Sequence, residues 1–310
     1  MSTEAVDALE IFDATRTAQL LDFSMLMDAV ERAASELDRG AIHSPPRLAV
    51  PLGSDGVMLS MPATASDIGV HKLSNVQPAN AQAHLPLIHG VVIVCDALTG
   101  RPLCVLDGPE LTGRRTAAVS LVAIRRLLGR EPREVLLYGT GAQAQFHLQA
   151  LRVLSPRARV WVKGRDSVRT AAFCKAAHDL NPATLPCPPG VPEGVDAVIT
   201  LTTSSDPVYN APPRAGRVVV GVGAFRPGMA EIGSTTLDGS DLFADDPVGA
   251  RHEAGDFLRA DIDWAAVKSL GRLLEDTVPG DRPAVFKSVG SAAWDLAAAR
   301  AALQSLRRQP

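Results

Sequence analysis

The chain has 310 residues, 46% hydrophobic and 21% charged, with a formal net charge of −3. That length suits one large or two modest domains with a sizeable core. The charge balance gives no electrostatic case for nucleic acid or an anionic membrane as partner, and no run of 18 apolar residues offers a membrane span.

Residues 1–7, Met-Ser-Thr-Glu-Ala-Val-Asp, have neither the basic nor the apolar region of a secretory leader. Residues 10–50 read as a short strand and then a helix, with Phe23, Leu26, Met27 and Val30 as its core stripe and Gly40 as its stop. From 47 to 107 short apolar runs recur, at 47–51, 57–61, 68–73, 90–96 and 103–107. Turn signals such as Gly53-Ser-Asp-Gly56 separate them, so this part reads as an antiparallel or mixed β unit. Residues 116–128 read as a helix leading into a second unit.

That unit opens on Val135–Tyr138, a buried parallel strand by its apolar run. It ends in Gly139-Thr140-Gly141, with Ala144 in the third small-residue place, the G-x-G-x-x-A fingerprint between strand and helix. Gly139 permits the tight turn, Gly141 lets a pyrophosphate approach the backbone, and Ala144 lets helix and strand pack closely. A second strand follows at 160–162, then Lys163-Gly164-Arg165-Asp166-Ser167. An NAD site usually places an acid there for the ribose 2′-OH. Two cations and a hydroxyl suit a 2′-phosphate instead, so NADPH is the expected cofactor. Asp166 keeps NADH as the alternative, because a shift of two residues would bring it to the acidic position.

Further on come a helix at 167–178, a Pro-rich joint at 186–192, and strands at 196–201, 218–222 and 242–244. This alternation predicts a doubly wound α/β domain. Residues 291–306 form an Ala/Leu helix whose place in the chain suggests a crossing back to the first unit, and 306–310 read as a frayed end. The four cysteines, Cys95, Cys104, Cys174 and Cys187, show no C-x-x-C and no paired histidine spacing. They read as free thiols of a reducing, cytoplasmic compartment, with no metal site.

Arg47, Lys72, His89 and Arg115 stand out before residue 120. Cations near a nicotinamide would bind an anionic substrate, most simply a carboxylate. Spacing alone does not join them.

A resemblance does. The segments Leu111-Thr-Gly-Arg-Arg-Thr-Ala-Ala-Val-Ser120, Gly139-Thr-Gly-Ala-Gln-Ala144, Val219-Val-Gly-Val-Gly223 before Arg226-Pro-Gly-Met-Ala-Glu231, and Val285-Phe-Lys-Ser-Val-Gly290 resemble, in order, those of the ornithine cyclodeaminase/mu-crystallin family. The resemblance implies a Rossmann domain (116–287) inserted in an α+β substrate and dimerisation domain (1–115 plus 288–310), within a homodimer. It implies that Arg47, Lys72 and Arg115 hold the substrate carboxylate; burial beside two arginines would lower the Lys72 ammonium and let it exchange a proton with the substrate's ring nitrogen. The cofactor set it implies is His89, Gly139, Thr140, Gly141, Ala142, Gln143, Ala144, Gly164, Arg165, Asp166, Arg169, Thr202, Val222 and Ser288.

One departure sorts the family's chemistries. Cyclodeaminases carry an Asp where this chain has Phe225, two residues before Pro227. A phenyl ring cannot act as a base. Ketimine reductases also lack that Asp, and Ser44-Pro-Pro-Arg-Leu48, Leu59-Ser-Met-Pro-Ala63 and 88–96 look most like the bacterial Δ1-pyrroline-2-carboxylate reductases, which also reduce Δ1-piperideine-2-carboxylate. The implied function is reduction of a small cyclic imino acid to L-proline or L-pipecolate, in hydroxyproline or lysine breakdown. The alternatives are cyclodeamination, alanine dehydrogenation, or a non-catalytic carrier like mu-crystallin.

Overall fold

The computed structural model describes residues 9–276 and 282–308. The leader reading of residues 1–7, and the last two residues of the expected frayed end, lie outside the described residues.

The first sheet is mixed. It gathers β1 (Glu10–Ile11), β2 (Leu48–Leu52), β3 (Gly56–Thr64), β4 (Ile68–Val76), β5 (Ile88–Asp96) and β6 (Pro102–Asp107) in the order β1-β6-β5-β4-β3-β2. From β2 to β6 each strand pairs antiparallel with the next, whereas β1 lies parallel to β6. Between β1 and β2 the expected single helix is two, α1 (Ala14–Leu20) and α2 (Phe23–Asp38). Asp13 and Asp22 explain the break: each carboxylate accepts backbone N–H bonds of the turn that follows and starts its own helix. The core stripe of α2 is buried as its spacing predicts.

Helix α3 (Gly108–Leu128) begins earlier than the expected 116. Asp107 accepts from Glu110 N at 2.8 Å and Pro109 sits in the first turn, so the start signal is Asp107-Gly-Pro-Glu110.

The second sheet is wholly parallel. It holds β7 (Glu134–Tyr138), β8 (Arg159–Lys163), β9 (Thr184–Pro186), β10 (Ala197–Thr200), β11 (Val218–Gly221), β12 (Asp241–Ala244), β13 (Lys268–Ser269) and β14 (Ala284–Lys287). Their order is β13-β12-β14-β11-β10-β7-β8-β9. The helices of this unit are α4 (Ala142–Leu154), α5 (Ser167–Ala176), α6 (Ser234–Leu237), α7 (Pro247–Glu253), α8 (Gly255–Arg259) and α9 (Leu270–Glu275). The edge strands β9 and β13 have no clear sequence signal; Pro186 closes β9 where an edge tolerates it.

Helix α10 (Ala292–Arg307) then packs on α2, α3, β3 and β4, back at the first sheet. Trp294 on α10, Val92 on β5 and Val135 on β7 belong to one continuous apolar core. The fold is an α/β Rossmann-type unit joined to a mixed-sheet α+β unit, as the sequence predicts.

Candidate active site

Parallel strands put all their C-terminal ends on one edge, and a crevice opens where the strand order reverses. Here the reversal falls between β7 and β10. Gly139 leaves β7 with φ +118°, and a Cβ on it would sit 2.8 Å from Leu201 O on the neighbouring loop. Only glycine fits that conformation and that approach. Gly141 caps α4, and no heavy atom lies within 4 Å of where its Cβ would be. The first N–H groups of α4 have no side-chain cap and face that open space. Ala144 is fully buried, and Gln143 holds a buried Oε1 with no hydrogen-bond partner. Open space and uncapped N–H donors at the start of α4 fit a dinucleotide pyrophosphate. Thr140 and Ala142 belong to the same turn.

At the end of β8, Lys163 turns its Nζ over the Tyr138 ring, 5.5 Å from the centroid. Arg165 is exposed and makes no ion pair among the described residues. Asp166 caps α5, accepting from Arg169 N at 2.7 Å. Its carboxylate is thus engaged by the helix, and Gly164 packs beside Thr170.

Two buried carboxylates shape the other loops of this edge. Glu231, fully buried, accepts from Thr200 Oγ1, Thr202 N and Oγ1, Gly223 N and Ala224 N. Burial pushes its carboxyl up, while Lys287 and the Thr202 bonds pull it down. Asp245 accepts from Ser288 Oγ at 2.9 Å, from Val289 N and Gly290 N, and from Trp294 Nε1. Thr202 and Ser288 therefore spend their hydroxyl donors on protein. Val222 is half-buried and donates its N–H to Thr200 O.

The turn at 288–291, from β14 into α10, is where the cations meet. Gly290 has φ +82°, and a Cβ there would come within 3.1 Å of Arg115 Nη2. Arg47 donates from Nη2 to Val289 O and Gly290 O at 3.0 and 2.9 Å, and the same nitrogen lies 2.7 Å from Glu253 Oε2 on α7. Lys72 on β4 pairs with Asp295 Oδ2 at 2.7 Å. Arg115 on α3 donates from Nε to Asp295 Oδ1 at 3.2 Å. Its two Nη groups have no hydrogen-bond partner among the described residues. Lys72, Arg115 and Asp295 are 4%, 5% and 0% exposed. Burial lowers the Lys72 ammonium from 10.5 to about 8; Asp295 opposes that shift, and Arg115 and Arg47 add to it.

His89 is placed elsewhere. It pairs with Asn75, whereas Lys72 pairs with Val92. Strand alternation puts His89 on the sheet face opposite Lys72, where it is exposed. Within one chain it does not join the cation cluster. Sequence reading missed Asp295, Glu253, Asp245 and Glu231. A lone carboxylate on the buried side of an Ala/Leu helix was the available signal for Asp295; Glu231 ends the Arg226–Glu231 motif, which showed the residue but not its role, and Glu253 and Asp245 carry no local signal. Two described clefts lie away from this edge. One of about 890 Å³ is lined by α2, α3 and α9, and one of about 620 Å³ lies at Leu237–Phe243. Among the described residues no His/Cys/Asp/Glu group could hold a metal, and no helix is long and apolar enough to cross a membrane.

Comparison with known proteins gives the family and the fold likeness. The chain is 49% identical over 303 residues to the Δ1-pyrroline-2-carboxylate reductase 1 of Burkholderia multivorans, covering 97% of each chain. It is 48% identical over 303 residues to the Δ1-pyrroline-2-carboxylate/Δ1-piperideine-2-carboxylate reductase of Azospirillum brasilense, again covering 97% of each. Its fold matches that of an archaeal alanine dehydrogenase dimer with bound NAD at a TM-score of 0.85, with 25% identity over 96% of both chains. The model of the ornithine cyclodeaminase/mu-crystallin family matches residues 9–309. The chain belongs to the ornithine cyclodeaminase/mu-crystallin family.

Proposed function

We propose that the protein is an NAD(P)H-dependent reductase of cyclic imino acids, turning Δ1-pyrroline-2-carboxylate into L-proline and Δ1-piperideine-2-carboxylate into L-pipecolate. One observation carries the reading: Arg115 presents a free, buried guanidinium fork beside Lys72, at the turn that follows β14 of the cofactor edge. A planar carboxylate matches that fork bidentately. The near-50% identity to two reductases over nearly the whole chain gives the substrate class.

Reduction adds a hydride to ring C2 and a proton to the ring nitrogen, so C=N becomes CH–NH. The bound nicotinamide supplies the hydride. The protein's own part is orientation and charge. Arg115 and Lys72 fix the carboxylate, which places C2 and excludes other poses. Arg47 stands third in the cluster, held by the 289–290 carbonyls and Glu253. Lys72, with its ammonium near 8, can give up a proton to the ring nitrogen near neutral pH and regain it from solvent.

The finer parts of the reading rest on local features. NADPH is preferred over NADH because Arg165 is exposed and unpaired at the ribose end while Asp166 is engaged as a helix cap. The site set is the cation cluster with the Gly139–Ala144 turn, Gly164, Arg165, Asp166, Arg169, Thr202, Val222 and Ser288; His89 would serve only across a subunit boundary. The domains divide as 1–115 with 288–310, and 116–287. A homodimer is supported by the outer face of the first sheet, where Leu48, Val50 and Val91 are 62%, 39% and 36% exposed. Cyclodeamination is disfavoured by Phe225, half-buried with Arg226 over its ring at 5.4 Å, where a carboxylate would be needed. A carrier role would not need the buried Lys72 and Arg115 pair. The test is NADPH absorbance with the five- and six-membered imines side by side. Loss of absorbance with either is expected; none with both would refute the reading.

A further inference from the structure

We infer that Asp295 is the positioning residue of the carboxylate clamp, tying Lys72 and Arg115 into one rigid unit with a single net positive charge. The inference rests on the reductase reading for what that unit receives. Three elements distant in sequence meet at this carboxylate: β4 brings Lys72, α3 brings Arg115, and α10 brings Asp295. Each oxygen takes one cation, at 2.7 and 3.2 Å. Asp295 lies in the first turn of α10, where the helix dipole favours a negative charge.

The charges then balance. Arg47, the third cation near Lys72, has its own partner in Glu253 at 2.7 Å. Within the unit itself Lys72 and Arg115 face the one carboxylate of Asp295, which leaves one positive charge for one substrate carboxylate, while Arg47 is matched outside it by Glu253 and Asp246. Without Asp295 two buried cations would face each other unpaired, a strongly unfavourable arrangement. They would also oppose the positive iminium of the substrate. Asp295 thus settles both where the cations point and how much charge the ring meets. The charged groups that face Lys72 are Asp295 from α10, Arg115 from α3 and Arg47 from the segment before β2. Its strand neighbours Met61 and Val92 are uncharged.

The experiment uses the full chain carrying Asp295→Asn, which keeps shape and removes charge. Lysine isotopically labelled at Cε is followed by NMR, with the Lys72 signal assigned from Lys72→Met. The Lys72 midpoint should fall by about one pH unit or more. The KM for the imine should rise about tenfold or more, the scale of lost charge-pair interactions, with NADPH affinity unchanged. The alkaline limb of kcat/KM should move to lower pH with the NMR midpoint. Asp295→Glu should bring the midpoint back and recover part of the KM. An unmoved Lys72 midpoint in Asp295→Asn would overturn the proposal whatever the protein reduces. A moved midpoint in a protein that reduces no imine would sink the reductase reading and leave the ion-pair unit standing. If Asp295→Asn does not fold, Asp295→Glu is read alone, and a KM equal to that of the unmodified protein overturns the proposal.

Discussion

Arg165 and Asp166 are neighbours with opposite fates, and the difference sets the cofactor expectation. Asp166 is held by the first turn of α5, whereas Arg165 projects freely. Arg165→Ala should therefore raise the KM for NADPH about tenfold more than that for NADH, in steady-state kinetics with both cofactors; one charge-assisted phosphate contact is of that order. Arg115 offers a sharper test, because its fork is buried. Arg115→Met should cost about 2–5 kcal/mol in kcat/KM for the imine, as for one lost partner of a buried charge pair. Near-normal kinetics in a folded variant would remove it from the clamp. Phe225 stands where the family resemblance leads one to expect the Asp of a cyclodeaminase. The unmodified protein should release no measurable ammonia from ornithine with oxidised cofactor. Phe225→Asp should slow imine reduction by setting a negative charge near the hydride path; robust ammonia release by the unmodified chain would reverse the assignment. These residues were legible because each sits in a motif of fixed order. Asp295 was not, since its role depends on two partners far away in sequence and its own surroundings read as plain helix.

Elements were legible wherever hydrophobic period and punctuation agreed, as in β2 to β6 and in the Gly139 turn. They were misjudged where a short polar residue did the punctuating. Asp13, Asp22 and Asp107 each begin a helix by accepting backbone N–H groups, and apolar spacing alone does not register that. The pairing of α3 with α4 was also invisible, and it carries a pH dependence. His147 on α4 is fully buried; its Nδ1 meets Gln143 O at 2.8 Å and its Nε2 meets Ser120 Oγ on α3 at 3.0 Å. Burial lowers its pKa from 6.5 to about 4. The sign follows from linkage. Below about 6.5 the unfolded chain takes a proton that the folded chain refuses, so stability falls as pH drops from there to about 4 and then levels. At pH 5 this one group should cost about 2 kcal/mol relative to pH 7. Urea unfolding at both pH values should show the loss, and His147→Leu should flatten it. An equal slope in the variant would assign the dependence to other groups.

At the scale of the molecule, two sheets share one core, and α10 closes the first of them. On the outer face of the first sheet one row runs Leu48, Ser60, Leu73, Val91 across β2 to β5, three apolar residues and one hydroxyl. A homodimer should appear by light scattering at micromolar concentration, and charging that row with Leu48→Lys and Val91→Lys should release monomers. A monomeric unmodified protein would leave the face unexplained. The crossing of α10 also has a consequence in time. A ribosome makes the chain in order, so every strand of the first sheet emerges long before the helix that covers it. Until Trp294 and its neighbours appear, β3 and β4 lack the helix that packs on them, although α3 already lies against β5. The parallel sheet, complete at β14, can form while its elder neighbour waits. The first half of the nascent chain is thus the part that needs shelter, and the Asp295 corner of the proposed clamp is added only by a helix made after every strand of both sheets.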